Sequence, residues 1–308
     1  MIEVHDLVRH YGELAAVDGV SFAIEPGEVV GLLGHNGAGK TTIMKMLTGY
    51  LEPSAGRVLI DGVDVQAQRL QAQAQIGYLP ESLPVYPEMT VMEYLSYSAR
   101  LRDLTAAEVV PRAIAETGLQ DKALDRIETL SRGYKQRVGV AQAILHQPRF
   151  LILDEPSNGL DPTQIGLMRD LIRRLAEQAT VILSTHIMQE VSAVCDRAII
   201  IRSGKVAIDE RLADLRQSST VRLRTTAAAD VATALADCAG VTSVERQENG
   251  LWQLAVGGEI DQAVADIAAC LVAADLPIHE LSPAQRDLET IFRQVNEAAD
   301  ATGVADAA

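Results

Sequence analysis

Gly34, His35, Asn36, Gly37, Ala38, Gly39, Lys40 and Thr41 fit the pattern Gly-x-x-x-x-Gly-Lys-Ser/Thr, and the residues flanking them are of the kind that pattern needs. Glu28 to Leu33 is an apolar run that reads as a buried strand entering the loop, and Thr42 to Leu47 reads as the helix leaving it. Backbone N–H groups then converge where phosphates would lie. The expected ligand is a nucleoside triphosphate, with Lys40 reaching its outer phosphates and Thr41 binding magnesium.

The elements that must hold this loop are legible on both sides of it. Ile2 and Val4, then Val20, Phe22 and Ile24, alternate with polar residues and predict strands before the Pro26-Gly27 turn. Arg57 to Ile60 carries a second β signal that ends in Asp61-Gly62, a tight-turn pair. From about 88 to 147 the character is helical: Thr90 with Glu93 and Thr105 with Glu108 form capping-box patterns, and Gly118 suits a helix stop. Phe150 to Leu153 and Val181 to Leu183 are of strand length, separated by a helix with Ile165, Met168, Ile172 and Leu175 on one face. Strand, helix and strand in that order imply a parallel sheet. A further strand at Ala198 to Ile201, a Ser203-Gly204 turn and a return at Val206 to Ile208 precede a boundary placed near 216. Beyond it, the alternation of Val221 with Leu223 and of Trp252, Leu254 and Val256, and the helical spacing of Ile260, Val264, Ile267 and Leu271, predict a small α+β domain whose last ten residues fray.

Bulk properties narrow the class. With 308 residues and 48% hydrophobic content the chain reads as two globular domains, and no apolar run approaches the roughly 18 residues that cross a bilayer. The beginning lacks the order of an export signal, so the expected location is the cytoplasm. Residues 221–308 carry −9 of the net −15, and no basic cluster is interleaved with aromatics, which argues against nucleic acid as a partner. Cys195, Cys238 and Cys270 are odd in number and widely spaced, so they read as small buried residues rather than as disulfides or metal ligands. No internal repeat is present, so one nucleotide module per chain is expected.

What selects among phosphate-loop proteins is the order of the remaining motifs: LSRGYKQR (Leu130 to Arg137), FLILDEP (Phe150 to Pro156), SNGLD (Ser157 to Asp161) and STH (Ser184 to His186). This order, over about residues 2–215, resembles the ATP-binding subunits of ABC transporters. The resemblance implies a phosphate-loop ATPase core with an antiparallel β subdomain and a helical subdomain at about 88–147, ATP and Mg2+ as ligands, and residues 216–308 as an accessory domain. Asp154, ending a buried strand, is placed to hold magnesium through its water shell, and Glu155 becomes the carboxylate that orients the attacking water. His186 is assigned to the γ-phosphate by the resemblance. Ser131 reads as a helix N-cap, and in the family it grips, with Gly133, the γ-phosphate held by the opposite subunit. Two copies then share two composite sites. Tyr11 stands where the family stacks an aromatic on adenine. Glu81 occupies a position usually held by Gln, where it would ligate the metal through oxygen. Asp161 is expected at the dimer seam and also as a helix N-cap before Pro162.

The function these residues imply is an ATP-hydrolysing motor working with separate membrane-spanning permease subunits. The YLPE and SRGYKQR variants and the segment Leu288 to Val295 resemble exporter-type systems. Two other readings stay open from sequence: a soluble ATPase of the same family acting on ribosomes or DNA, and an ATPase that gates its own C-terminal module.

Overall fold

The computed structural model describes residues 1–216, 220–226, 231–236, 238, 240–247, 250–284, 289, 290 and 292. The chain divides into two compact units, Met1–Leu212 and Ala213–Ala308. That division precedes the position near 216: buried Leu212 opens a short helix, Leu212–Arg216, and donates its N–H to the Asp196 carbonyl of the first unit.

The first unit opens with β1 (Ile2–Tyr11) and β2 (Leu14–Ile24), followed by β3 (Val29–Leu33), which runs into the phosphate-type loop and α1 (Lys40–Leu47). The hairpin β4 (Ala55–Ile60) and β5 (Val63–Asp64) turns at Asp61 and Gly62, both at positive φ as a two-residue hairpin turn requires. After α2 (Arg69–Gln73) and β6 (Ile76–Leu79) come the helices α3 (Val91–Arg100), α4 (Ala106–Glu116) and α5 (Arg132–Ile144). The chain then alternates: β7 (Phe150–Asp154), α6 (Pro162–Ala176), β8 (Thr180–Thr185), α7 (Met188–Val194), β9 (Arg197–Arg202) and β10 (Lys205–Arg211), and α8 (Leu212–Arg216) begins at the unit's last residue.

These strands form an antiparallel sheet in the order β2-β1-β4-β5 and a six-stranded sheet in the order β10-β9-β3-β8-β7-β6. The latter is parallel from β9 to β6, with β10 antiparallel on its edge. Every residue of β3, β7 and β8 is buried, which explains why they read as apolar runs without alternation: both faces are covered. The pleat sorts those side chains into two cores. Phe150, Ile152, Val30 and Leu32 join the antiparallel sheet and α1, while Leu151, Leu153 and Leu183 join the helices α3 to α6.

The two capping-box patterns part company. Thr90 caps α3 reciprocally with Glu93, its N–H donating to Glu93 Oε2 at 2.8 Å and its Oγ1 accepting from the Glu93 N–H at 3.2 Å. Thr105 stands at the N-cap of α4 without a side-chain bond, because the Glu108 N–H it would receive is taken by its own carbonyl at 3.0 Å in a tighter first turn. Gly118, at φ +66, follows the end of α4 as expected of a stop.

The second unit comprises β11 (Thr220–Arg224), α9 (Val231–Leu235), β12 (Val241–Arg246), β13 (Leu251–Val256), α10 (Ile260–Ala273) and β14 (Glu280–Pro283). Its sheet order, β12-β13-β11-β14 with antiparallel neighbours, is the β-α-β-β-α-β arrangement. Val221, Leu223, Trp252, Leu254 and Val256 are buried together with Ile267 and Leu271 of α10, so alternation and helical spacing both point to the side that packs. Leu288 to Val295 lies largely outside the described residues, and the last ten residues lie wholly outside them.

Candidate functional site

The loop between β3 and α1 is fixed by backbone geometry. Gly39 has φ +108, and a Cβ there would stand 2.5 Å from the Ala16 carbonyl oxygen, so only glycine fits. Gly34 is equally constrained by close approach, since a Cβ there would stand 2.6 Å from the Ile201 carbonyl oxygen. The Gly204 N–H donates to the Ala38 carbonyl, tying the loop to the β9–β10 turn. His35, Asn36 and Gly37 form the exposed tip. Gly39 is the N-cap of α1 and supplies no side chain, which leaves the first-turn N–H groups of Lys40, Thr41 and Thr42 without a side-chain cap and directed at an anion. Lys40 is 5% exposed, and its ammonium donates to the carbonyls of Gly34 at 2.7 Å and His35 at 3.3 Å.

Asp154 and Glu155 meet this loop from the end of β7. Thr41 Oγ1 lies 3.4 Å from Asp154 Oδ1, and Lys40 Nζ lies 3.6 Å from Glu155 Oε1. Between them stands Ser184, opposite Asp154 in the β7–β8 register: its hydroxyl donates to Asp154 Oδ1 at 2.5 Å and accepts from the Glu155 N–H at 2.9 Å. Glu155 itself leaves the sheet at φ +49, an unfavourable backbone region for a residue with a Cβ, and the Ser184 bonds help hold it there. His186 completes the group, with Nδ1 3.0 Å from Glu155 Oε2. Its turn is pinned by Thr185, whose hydroxyl donates to the buried Glu190 carboxylate at 2.9 Å and accepts from the Ile187 N–H at 3.0 Å.

Electrostatics follow from this burial. The Asp154 carboxyl titrates above the ordinary range because burial disfavours its charge, with the Ser184 and Thr41 hydrogen bonds opposing. Glu155 is raised for the same reason, and His186 and Lys40 oppose it. A raised carboxylate beside a histidine is a stronger base than an exposed one. Asp154 Oδ2 is buried without a hydrogen-bond partner, a lone pair that a cation would satisfy. Among the described residues no group of three His, Cys, Asp or Glu side chains could hold a metal alone, so a cation here would complete its shell from phosphate and water, as magnesium does.

The remaining expected residues make no hydrogen bond to this cluster, though the Glu81 charge reaches Asp154 and adds to its raised carboxyl. Glu81 follows β6 and is exposed, its Oε1 3.5 Å from Asn158 Nδ2. Asp161 caps α6, accepting from the Gln164 N–H at 2.9 Å. Ser131 is the N-cap residue of α5 but makes no capping hydrogen bond with its side chain, and neither it nor Gly133 is hydrogen-bonded to the phosphate-type loop. Both sit by the SNGLD turn: a Cβ on Gly133 would meet Gln164 Oε1 at 2.4 Å, and one on Gly159 would meet the Arg132 guanidinium at 2.6 Å. Tyr11 is 47% exposed, with the Arg9 guanidinium 5.0 Å from its ring centroid. Sequence reasoning missed Ser184 as the link between Asp154 and Glu155. Its presence in STH was visible, but its position opposite Asp154 depends on strand pairing.

A glycine-lysine loop feeding a helix from β3, a histidine after the neighbouring strand β8 and an acidic pair at the end of β7 beyond it define a phosphate-loop nucleoside triphosphatase. Residues 17–158 match the ABC transporter family. The ABC transporter ATP-binding protein NatA of Bacillus subtilis (strain 168) is 39% identical over 227 residues, covering 71% of this chain and 92% of that protein. The Nod factor export ATP-binding protein I of Rhizobium etli is 38% identical over 218 residues, covering 70% of this chain and 69% of that protein. The dimeric structure of MJ0796, a bacterial ABC transporter cassette, shares the fold with a TM-score of 0.64 at 23% identity, over 69% of this chain and 99% of that one. The chain belongs to the ATP-binding subunits of ABC transporters and is an ATPase.

Proposed function

We propose that this ATPase drives export, working as a pair of copies on separate membrane-spanning permease subunits at the cytoplasmic face of the membrane. The observation that carries the reading is the convergence of Glu155 on Lys40 at 3.6 Å and on His186 at 3.0 Å. The loop residues Gly34 to Thr42 would hold the ATP phosphates, with Lys40 exchanging the Gly34 and His35 carbonyls for outer phosphate oxygens. Thr41, Asp154 and, from its loop, Glu81 would hold Mg2+, which when bound neutralises phosphate charge. Glu155 takes a proton from the attacking water at its carboxylate while His186 orients it and contacts the γ-phosphate.

Ser131 and Gly133 of one copy would close on the γ-phosphate bound by the other, with Asp161 at the seam and Tyr11 stacking on adenine. Support comes from the spare Ser131 hydroxyl at a helix N-terminus and from the dimer that MJ0796 forms. A role in export draws on the Nod factor export relative. Among the described residues no helix is long and apolar enough to cross a membrane, so the reading assigns the passage to other chains. A cleft of about 550 Å³ between α2, β6 and the helices, with Tyr50 and Leu70 73% and 83% exposed beside it, would take an apolar segment of such a subunit.

Glu155→Gln tests the reading. Hydrolysis should fall by roughly 100-fold or more, and the variant with Mg-ATP should elute as a dimer in size-exclusion chromatography. Turnover at the parental rate would remove Glu155 from its role, and a single copy under saturating Mg-ATP would remove the paired arrangement.

A further inference from the structure

In the second unit, Cys238 follows the short helix α9 and Cys270 lies in the last turn of α10. Far from being separate small residues, they share one core: Cys238 is buried in it and the partly exposed Cys270 packs against it. Their side chains lie close enough in this core for Cys270 to perturb the Cys238 thiol. Burial, the adjoining Cys270 and the nearby Asp266 push the Cys238 thiol up to about 12. Cys195 is the contrast. It belongs to the first unit, packed 3.2 Å from where a Cβ on Gly31 would stand, and burial raises its thiol further still.

We propose that Cys238 and Cys270 are a dithiol site that reacts with a low-molecular-weight disulfide to form an intramolecular disulfide, leaving Cys195 reduced. Cys270, the accessible partner, loses its proton and attacks one sulfur of the small disulfide. A mixed disulfide forms, and the displaced thiolate takes up a proton. Cys238 then loses its proton and attacks the Cys270 sulfur, expelling the second small thiol. Two electrons pass from the cysteine pair to the small disulfide, and no other reactant is required. All of these atoms lie in the unit Ala213–Ala308, so the inference stands independently of the nucleotide chemistry.

The test uses the full chain, fully reduced and then incubated with glutathione disulfide at graded ratios to glutathione. After acid quenching and unfolding, free thiols are counted and disulfides mapped by peptide mass spectrometry. The three thiols should fall to one, at Cys195, with a Cys238–Cys270 peptide pair and no cross-linked chains on a non-reducing gel. Cys238→Ser should instead retain glutathione on Cys270. Survival of all three thiols in excess glutathione disulfide, bonds between chains in place of the internal one, or loss of the Cys195 thiol as fast as the pair would each overturn the proposal. The mapping on the parent chain decides the matter even if the serine variant folds poorly.

Discussion

Glu155 combines a left-handed backbone, held through its N–H by Ser184, with a carboxylate withdrawn from water between Lys40 and His186. Replacing Ser184 by alanine removes the side-chain acceptor of the Glu155 N–H and the shorter of the two hydroxyl bonds to Asp154 Oδ1, leaving the backbone carbonyl of residue 184 and Thr41 as their partners, a loss of about 1 kcal/mol in unfolding experiments. ATP hydrolysis should fall with it, because Glu155 loses its register against Lys40. The pH dependence has a definite sign. With its carboxyl raised by burial, Glu155 takes a proton at a higher pH than an ordinary glutamate, so hydrolysis should decline as pH falls through that raised value. Folding responds in the opposite direction: the cost of ionising Asp154 and Glu155 is absent below the ordinary carboxylate range and fully present above their raised values. A pH–rate profile whose acid limb coincides with that of an exposed glutamate would contradict the burial argument. The residues at 34–41 and the pair at 154 and 155 were singled out by local pattern and His186 by the family resemblance, whereas Ser184 acts through a partner thirty positions away.

Elements report how far local pattern can be trusted. Thr90 and Thr105 carry the same signal, yet only Thr90 closes the reciprocal box. Thr90→Ala should therefore cost about 1 kcal/mol and Thr105→Ala only a few tenths, a contrast measurable by urea unfolding of the two variants. What pattern could not foretell is that the Glu108 N–H would bond the Thr105 carbonyl in place of its hydroxyl. The buried strands β3, β7 and β8 were legible as apolar runs, and their parallel direction from the helices between them. In the second unit, alternation marked β11 and β13 but not their adjacency, because antiparallel order depends on turns and on packing against α10 rather than on the strands themselves. The division after Leu212 falls within four residues of the boundary placed near 216.

At the scale of the molecule, every residue given a role in ATP chemistry belongs to Met1–Leu212. A chain ending at Arg216 should retain ATP hydrolysis within a few-fold of the parent, measured as phosphate release. Its loss would make the second unit part of the motor rather than an accessory to it. The uneven charge, −9 of −15 beyond residue 220, was visible in composition alone. The division of labour inside the first unit was not. β7 is a partition wall whose successive side chains serve different rooms: Phe150 and Ile152 face the nucleotide loop's core, Leu151 and Leu153 the helical one. Truncating neighbours along this strand would therefore injure opposite halves of the machine, and the acidic pair at its tip inherits its aim from both.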